Sequence, residues 1–282
     1  MKTVFQESMN THKIKRLGII SALREEQQGL VQAMDGAATV LHGMRDYAVG
    51  HLWGIDAVCV LSRIGKVAAS MTATMLVEKF GVTHILFTGV AGSGDDSVRV
   101  GDIVIAESLV QHDMDASPLF PRYEVPLTGL AHFHSDAALS RQLALAAGRF
   151  VDTDFLGAIG VNERRDFRLG QPKVHRGLIA SGDQFVSSRA HIERLNGAHP
   201  GLLAVEMEGA AVAQVCFELG IPFAVIRTIS DNANEDAAID FLRFVQSVAA
   251  HYAFHIVRRF CQDGAGAAFV AESVAEFVAE KV

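Results

Sequence analysis

The stretch His84-Ile-Leu-Phe-Thr88, followed by Gly89-Val-Ala-Gly-Ser-Gly94, decides the fold class of this chain. A short apolar run that ends in glycine and other small residues is typical of a buried strand leading into a tight turn. Similar apolar runs recur along the sequence and alternate with longer helical patterns, as in a sheet that helices cover on both faces. We therefore predict an α/β fold.

The remaining elements follow from the same patterns on either side of this strand. Trp53-Gly54 is a predicted turn between two strands, and residues 117–131, with three prolines, form the longest predicted loop. Further strands are predicted at Leu17–Ala22, Tyr47–Leu52, Ile55–Ser62, Asp102–Val110, Val174–Ala180 and Phe223–Ile229, and helices at Lys66–Phe80, Ser135–Phe150, Glu208–Leu219, Asp236–Phe260 and Ala267–Glu280. We predict a flexible leader over residues 1–16 and a single domain over 17–282, with a helical extension from about residue 261.

Composition excludes several classes of function. Half of the 282 residues are hydrophobic, the net charge is −7, and no basic cluster stands out, which argues against a nucleic-acid surface. The polar N-terminus and the lack of an apolar run of about 18 residues argue against a signal peptide and a membrane span. Cys59, Cys216 and Cys261 have neither disulfide-framework nor zinc-ribbon spacing, so we expect a reducing, cytoplasmic compartment.

Unusual polar groups follow several of the predicted strands. Ligands of open α/β sheets bind beyond the carboxyl ends of strands, so these groups are candidates for one site. They lie in residues 22–26, in 62–66 together with 89–92, in 205–211 and in 226–232.

Each of these segments also has a structural interpretation. Acidic residues such as Glu26, Glu206 and Glu208 favour the first turn of a helix, and Asp231 could cap the next helix. Alternatively, paired carboxylates accept hydrogen bonds from the two hydroxyls of a ribose, and an acid past a buried strand serves as a general acid. The glycine turns match neither a Walker nor a dinucleotide fingerprint.

Taken together, the segments resemble the bacterial 5′-methylthioadenosine/S-adenosylhomocysteine nucleosidases, within the purine nucleoside phosphorylase type-I superfamily. The resemblance covers about residues 17–260 and rests on motifs in the order of that family. They are Gly18-Ile-Ile-Ser-Ala-Leu-Arg-Glu-Glu26, Ile64-Gly-Lys-Val-Ala-Ala69, Thr88-Gly-Val-Ala-Gly92, Val100-Gly-Asp-Ile-Val104, His112-Asp-Met-Asp115, Ser181-Gly-Asp-Gln-Phe185, Val205-Glu-Met-Glu208 and Arg227-Thr-Ile-Ser-Asp231.

The resemblance implies a three-layer α/β/α fold with a central mixed, partly barrel-like sheet, and an N-glycosyl hydrolase that needs no cofactor or metal. Asp231 is expected to protonate the purine at N7 as the glycosidic bond of an adenine nucleoside lengthens. Glu26 is expected to deprotonate the attacking water on the opposite face of the sugar. This division of labour matches that of inverting glycosidases.

The resemblance also assigns binding roles. Glu208, with Glu206 beside it, would accept hydrogen bonds from the ribose, Met207 would pack beneath the sugar, and Arg227 would orient the carboxylates. Phe185 would stack on the adenine, the backbone of Val186 would bind the edge of the base, and Ser230 would orient Asp231. The turn Val90, Ala91 and Gly92 would contact the sugar, and Leu23, Ile64 and Phe241 would line the 5′ pocket. In a homodimer, Ala116, Leu119 and Phe120 would contribute to the site of the partner.

The sequence departs from the family pattern around the sugar and its 5′ side. Val90 replaces a serine, Arg63 a glycine, Arg24 an acid and Leu23 a methionine, while Leu119 stands at the position of an aromatic residue. These departures leave open which 5′ substituent is preferred.

Two other functions remain as alternatives. A phosphorylase of this superfamily would place a cation and a serine where this chain has Phe87 and Val90, although Arg24 and Arg63 are of a type that suits phosphate. A non-catalytic nucleoside-binding homologue would keep the fold alone. Histidines and aspartates at 112–115 and 132–136 have no established metal-site spacing.

Overall fold

The computed structural model describes residues 14–27, 29–234 and 237–265, apart from the side chains of residues 239, 264 and 265. Its strands are β1 (Leu17–Ser21), β2 (Asp35–His42), β3 (Arg45–Leu52), β4 (Ile55–Leu61), β5 (His84–Ser93), β6 (Ile103–Gln111), β7 (His132–His134), β8 (Val174–Ser181), β9 (Leu202–Glu206) and β10 (Phe223–Asp231). Its helices are α1 (Arg24–Gln27), α2 (Lys66–Glu78), α3 (Ala137–Arg149), α4 (Phe155–Ala158), α5 (Val161–Asp166), α6 (Arg189–Ala198), α7 (Gly209–Leu219), α8 (Ala237–Phe244) and α9 (Ala250–Arg259).

The strands form one mixed sheet that partly closes on itself. Strands β4, β1, β5 and β10 run parallel in that order. Strand β10 also pairs with β6 in the antiparallel sense, and the order β10, β6, β8, β9, β5 closes a five-stranded ring. The mixed, partly barrel-like sheet that the sequence predicts is thereby confirmed.

Two apolar cores occupy opposite faces of the sheet. One core is built on helices α3, α8 and α9, with Leu143, Phe244 and Tyr252 among its buried side chains. The other core includes Ala73 and Leu76 of α2 and Val212 of α7. The arrangement is the predicted three-layer α/β/α architecture, and it buries both faces of the parallel strands, which explains why their sequences are mainly apolar.

Strand β5 is longer than the sequence predicts. A turn was expected at residues 89–94, but the strand continues to Ser93 because β10 pairs with it from Phe223↔Ile85 to Asp231↔Gly92. The small residues of this segment therefore serve close packing rather than a change of direction. The predicted turn at Trp53-Gly54 is confirmed, and both residues have positive φ, of 48° and 88°.

The ends of the chain differ in part from the prediction. Ile14 is buried, and the Arg16 guanidinium pairs with Asp56 at 2.9 Å, so packing begins before residue 17. The helix predicted to end at Phe260 continues with a π-helical turn over Phe260–Ala265, and another lies at Val245–Ala249. The leader before residue 14, the predicted helix start at Asp236 and the helix Ala267–Glu280 lie outside the described residues.

Strands β2, β7 and β9 and helices α4, α5 and α6 were not predicted. Strand β2 is almost fully exposed, so it lacks the apolar alternation from which strands are recognised. Among the described residues, no helix combines the length and the apolar character that crossing a membrane requires.

Candidate active site

A cavity of about 640 Å³, counting its open mouth, lies beyond the carboxyl ends of β1, β5, β9 and β10. This volume is within the usual range for sites that enclose a small organic molecule. The cavity brings together residues from every candidate segment of the sequence. Its lining consists of Ala22, Leu23, Glu26, Ile64, Val90, Ala91, Gly92, Gln184, Phe185, Val186, Val205, Glu206, Met207, Glu208, Asp231 and Phe241.

Glu26 enters the cavity from helix α1, which directly follows β1. One carboxylate oxygen accepts hydrogen bonds from the backbone N–H groups of Ala22 and Leu23, both at 2.8 Å, and the other accepts from Val90 N at 3.1 Å. Burial raises the pKa of the Glu26 carboxyl, while these amides and the charge of Arg227 oppose the rise. The carboxyl is thus held in one orientation, with a basicity above that of an ordinary glutamate.

Asp231 is the last residue of β10 and only 2% of its surface is exposed. Ser230 Oγ donates to one of its oxygens at 2.7 Å, and Ala233 N donates to the other at 2.9 Å. Burial raises the pKa of Asp231 more than these two hydrogen bonds lower it, and Asp240 adds to the rise. A buried acid that keeps its proton to higher pH is suited to general acid catalysis.

Both carboxyls contact strand β5, Glu26 from the side of β1 and Asp231 from the side of β10. Glu26 contacts Val90 of this strand, whereas Asp231 pairs with Gly92, two residues further along. Two residues of extended strand span roughly 7 Å. The two acids therefore approach the same strand from different neighbours and open into the same cavity.

Glycines 89 and 92 leave room for these carboxyls. A Cβ at Gly89 would lie 3.2 Å from Glu26 Oε1 and 3.4 Å from Arg227 Nη1, and one at Gly92 would lie 3.0 Å from Asp231 Oδ1. Both contacts are tighter than ordinary van der Waals packing. The small residues that suggested a turn are thus needed because the catalytic candidates approach the backbone closely.

Arg227 and Glu206 form an ion pair behind the cavity. The guanidinium donates to Glu206 Oε2 at 2.7 Å, lies 4.1 Å from the ring centroid of Phe87, and is 1% exposed. It does not line the cavity. Burial raises the pKa of both Glu26 and Glu208, and the charge of Arg227 opposes part of that rise. Of the cavity carboxylates, Arg227 makes hydrogen bonds to Glu206 alone among the described residues, and its role in orienting the others stays a prediction.

Glu206 faces the cavity, but its oxygens already have partners. It accepts from Ser181 Oγ and from the N–H groups of Glu208 and Gly209, in addition to Arg227. These amides belong to the start of helix α7, so the capping interpretation of the sequence fits Glu206. This geometry favours a positioning role for Glu206 over the predicted contact with ribose.

Glu208 differs from Glu206 although it is only two residues away. It makes no side-chain cap on α7, and one of its oxygens accepts from Gly65 N at 2.8 Å. Burial and the neighbouring Glu206 raise the pKa of Glu208. No cation pairs with this carboxyl among the described residues, which leaves it available to a ligand that donates hydrogen bonds.

The walls of the cavity are apolar on the sides where the sequence predicts the base and the 5′ substituent. Phe185 is 45% exposed and meets Phe241 edge to face at 5.7 Å. Leu23, Ile64 and Met207 lie in the lining as predicted, and Ser230 is behind it, bonded to Asp231. Sequence reasoning missed Ala22, Gln184 and Val205 as lining residues, although each lies within a motif that had been singled out.

The residues predicted to serve a partner subunit lie elsewhere. Ala116, Leu119 and Phe120 are not part of this cavity, and Leu119 is 84% exposed. The aspartates within residues 112–115 and 132–136 have other partners. Asp113 pairs with Lys66, Asp115 pairs with Arg122, and Asp136 caps helix α3. Within the described part of the chain, no group of three or more metal-ligand side chains comes together.

Comparison with known proteins places this geometry in context. The model of the phosphorylase superfamily matches residues 16–262 of the chain. A 5′-methylthioadenosine/S-adenosylhomocysteine nucleosidase of Shewanella denitrificans is 37% identical over 244 residues, which are 86% of this chain and 97% of that relative.

Solved structures give the same result. The nucleosidase of the same name from Neisseria meningitidis, in complex with methylthio-immucillin-A, matches with a TM-score of 0.77 and 33% identity, over 88% of this chain and 98% of the other. The native futalosine hydrolase of Helicobacter pylori matches with a TM-score of 0.73 and 30% identity, over 87% and 97% of the two chains.

Proposed function

This chain belongs to the phosphorylase superfamily, and from that premise we propose that it hydrolyses the N-glycosidic bond of 5′-substituted adenine nucleosides. The products are adenine and the corresponding ribose derivative. The substrates include 5′-methylthioadenosine and S-adenosylhomocysteine, which the names of its relatives specify, and 5′-deoxyadenosine is a further candidate. The observation that carries the proposal is the opening of Glu26 and Asp231 into one cavity with Glu208.

In this reaction Asp231 donates a proton to N7 of the purine while the glycosidic bond breaks. Departure of adenine as an anion is unfavourable, so a proton delivered during bond cleavage lowers the barrier. General acids of this kind contribute about 10²- to 10⁴-fold in rate. The raised pKa of Asp231 supports this role, since the carboxyl keeps its proton where an ordinary aspartate would have lost it.

Glu26 takes the proton of the attacking water. Glu26 and Asp231 approach β5 from opposite neighbouring strands and line the same cavity, which supports the division between acid and base that inverting glycosidases use. The water attacks the sugar on the face opposite to the departing base. Glu208 accepts hydrogen bonds from the ribose hydroxyls. Burial and the neighbouring Glu206 raise its pKa to about 8, and its ionised form stabilises the positive charge that develops on the ribosyl group.

The lining of the cavity favours water over phosphate as the acceptor. Among its described residues are Glu26, Glu206, Glu208 and Asp231, but no lysine or arginine. A phosphate dianion would meet these acids with no counter-charge in contact. Arg227, whose charge acts on Glu26, is buried behind the cavity, where it pairs with Glu206 and stacks on Phe87.

The proposal includes further roles for the residues that line the cavity. Phe185 stacks on the adenine, the Val186 backbone reads the edge of the base, and Leu23, Ile64 and Phe241 enclose the first atoms of the 5′ substituent. The exposed Leu119, with Ala116 and Phe120, fits a contribution to the site of a second copy in a homodimer. We place the enzyme in the cytoplasm, as one domain, with no cofactor or metal in the reaction.

Release of free adenine tests the proposal. Purified protein is incubated with methylthioadenosine, with and without inorganic phosphate, and the products are separated by chromatography. Hydrolysis gives adenine and free methylthioribose at equal rates in both conditions. Formation of a ribose 1-phosphate that depends on phosphate would instead identify a phosphorylase, and the absence of adenine in both conditions would support the non-catalytic alternative.

A further inference from the structure

A second, larger groove continues from the active-site cavity. It has about 2120 Å³ of empty space and opens to solvent. Ala22, Leu23 and Ile64 line both spaces, so the groove begins where the proposed 5′ pocket ends. The hairpin of β2 and β3 forms its far wall, through residues that include Thr39, Met44 and Ala48.

Three arginines line this groove, and none has an ion pair with a described carboxylate. Arg24 has no hydrogen-bond or ionic partner among the described residues, and Arg63 donates only to Met44 O, at 2.6 Å. Arg45 is buried and donates to the carbonyl oxygens of Gly43, Ser62 and Ala68, which do not neutralise its charge. Guanidinium groups without a counter-charge form a site that attracts anions.

The backbone at Arg63 has an unusual conformation for a residue other than glycine. Its φ is +69°, in the left-handed region that glycine adopts at much lower cost. A non-glycine residue there is strained by about 1 kcal/mol or more, and such strain is commonly found at functional sites. The Arg63 guanidinium reaches the β2–β3 hairpin, where it donates to Met44 O, and both residues line the groove.

The remaining charged and polar groups of the groove leave this cationic character in place. Glu25 and Asp46 are its acidic residues, and neither is within ion-pair distance of the three arginines. Gln27, which is 7% exposed, also lines the groove, and its Nε2 has no hydrogen-bond partner. The groove thus contains side-chain N–H groups that have no hydrogen-bond acceptor among the described residues.

We propose that Arg63 and Arg24 recognise a carboxylate at the far end of the 5′ substituent, so that the enzyme prefers adenine nucleosides with acidic 5′ tails. The proposal rests on the proposed function, because the cavity must hold the nucleoside with its 5′ carbon toward Leu23 and Ile64. A short neutral tail ends within the apolar 5′ pocket. A longer tail passes Ile64 and places its carboxylate between the two guanidiniums, where the charge-assisted hydrogen bonds are strong.

A matched pair of substrates tests the proposal. The probes are 5′-(3-carboxypropylthio)-5′-deoxyadenosine and its primary amide, which have nearly the same length and shape and differ in charge. In the wild-type protein we expect kcat/KM for the acid to exceed that for the amide by about tenfold. Arg63→Gln and Arg24→Gln each bring the ratio toward one, and Arg63→Lys retains part of it.

The ratio of kcat/KM for the acid to kcat/KM for the amide is measured within each variant. A general loss of folded protein or of turnover therefore affects both values equally and cancels. Arg176→Gln is the control, because Arg176 is an exposed arginine that pairs with Glu107 and does not line the groove; it keeps the wild-type ratio. A wild-type ratio near one, or a ratio that both groove variants leave unchanged, overturns the proposal.

Binding separates this proposal from the proposed function. Dissociation constants of the same two nucleosides for Asp231→Asn, measured by calorimetry, report the acid-to-amide preference without turnover. If the wild-type protein releases no adenine from either probe, the hydrolase function is wrong, and the ratio of dissociation constants still decides whether the groove selects a carboxylate.

Discussion

The active site has two layers of charged groups that differ in how their charges are balanced. In the back layer, defined by Arg227, Glu206, Ser181 and Phe87, each charge has a partner at hydrogen-bond or stacking distance. In the front layer, defined by Glu26, Glu208 and Asp231, three buried carboxyls receive amide or hydroxyl hydrogen bonds but no direct cation. Burial raises the pKa of each front-layer carboxyl.

The comparison shows that two carboxylates close in sequence can have different contacts and different environments. Glu206 and Glu208 flank one methionine, yet Glu206 stabilises the start of α7 and Glu208 faces the ligand space. A buried charge without a partner costs free energy, and a protein retains such a group where it is needed for function. We therefore expect the back layer to contribute mainly to stability and the front layer to the proposed reaction.

The largest effect is expected from Asp231→Asn in the front layer. The amide cannot donate an acidic proton to the purine, so kcat falls by about 10²- to 10⁴-fold. In the wild type, kcat/KM rises with pH as Glu26 ionises and falls as Asp231 loses its proton, at a pKa above that of an ordinary aspartate. The variant loses the alkaline fall.

Steady-state rates of adenine release between pH 5 and pH 10 measure this profile, and thermal unfolding checks that the variant is folded. An unchanged alkaline limb in Asp231→Asn would show that another group supplies the proton.

The next effect concerns the back layer. Arg227→Met removes one member of a buried ion pair and leaves the Glu206 charge uncompensated, which typically costs about 3–5 kcal/mol of unfolding free energy. Chemical denaturation measures this loss. Adding Glu206→Gln to the Arg227→Met variant recovers part of it, because the unpaired charge is then gone. If the two substitutions are simply additive in their cost, the pair does not have the role that its geometry suggests.

The smallest effect is expected from Glu208→Gln, and its sign is opposite. Glu208 has a higher pKa in the folded protein than in the unfolded chain, because burial disfavours its charged form. As the pH rises from the unfolded-chain pKa to the folded-state pKa, this carboxyl therefore lowers the free energy of unfolding. The neutral amide avoids this loss and stabilises the fold by on the order of 1 kcal/mol above that range. At the same time kcat/KM falls by roughly tenfold, since a charged acceptor for ribose is lost.

Denaturation midpoints at pH 5 and pH 8, for wild type and variant, measure the stability difference. A variant that is less stable than the wild type at pH 8 would contradict the assignment of Glu208 to the front layer. Glu206→Gln is the matched control, because it removes the same charge from the same motif but breaks an ion pair, and it is therefore destabilising.

Sequence patterns were sufficient to predict the α/β class and three of the four strands beyond which the cavity lies, namely β1, β5 and β10, but not β9. The resemblance to the nucleosidases then identified most of the residues that line the cavity. The reason is local: apolar runs of strand length can be buried only within a sheet, and polar groups directly after them must lie at one edge of it. The motifs around Glu26, Glu208 and Asp231 therefore predicted the site before any distance between them was known.

The pairing of charged residues within that site depends on tertiary contacts. The strand β5 continues through residues that were predicted to turn, because β10 pairs with it along its length. The pairing of Arg227 with Glu206 rather than with Glu208, and the meeting of Arg24, Arg45 and Arg63 around one groove, depend on contacts between segments that are far apart in the chain. Whether a charge is balanced depends on which side chains lie next to it in space, and the sequence alone does not specify these contacts.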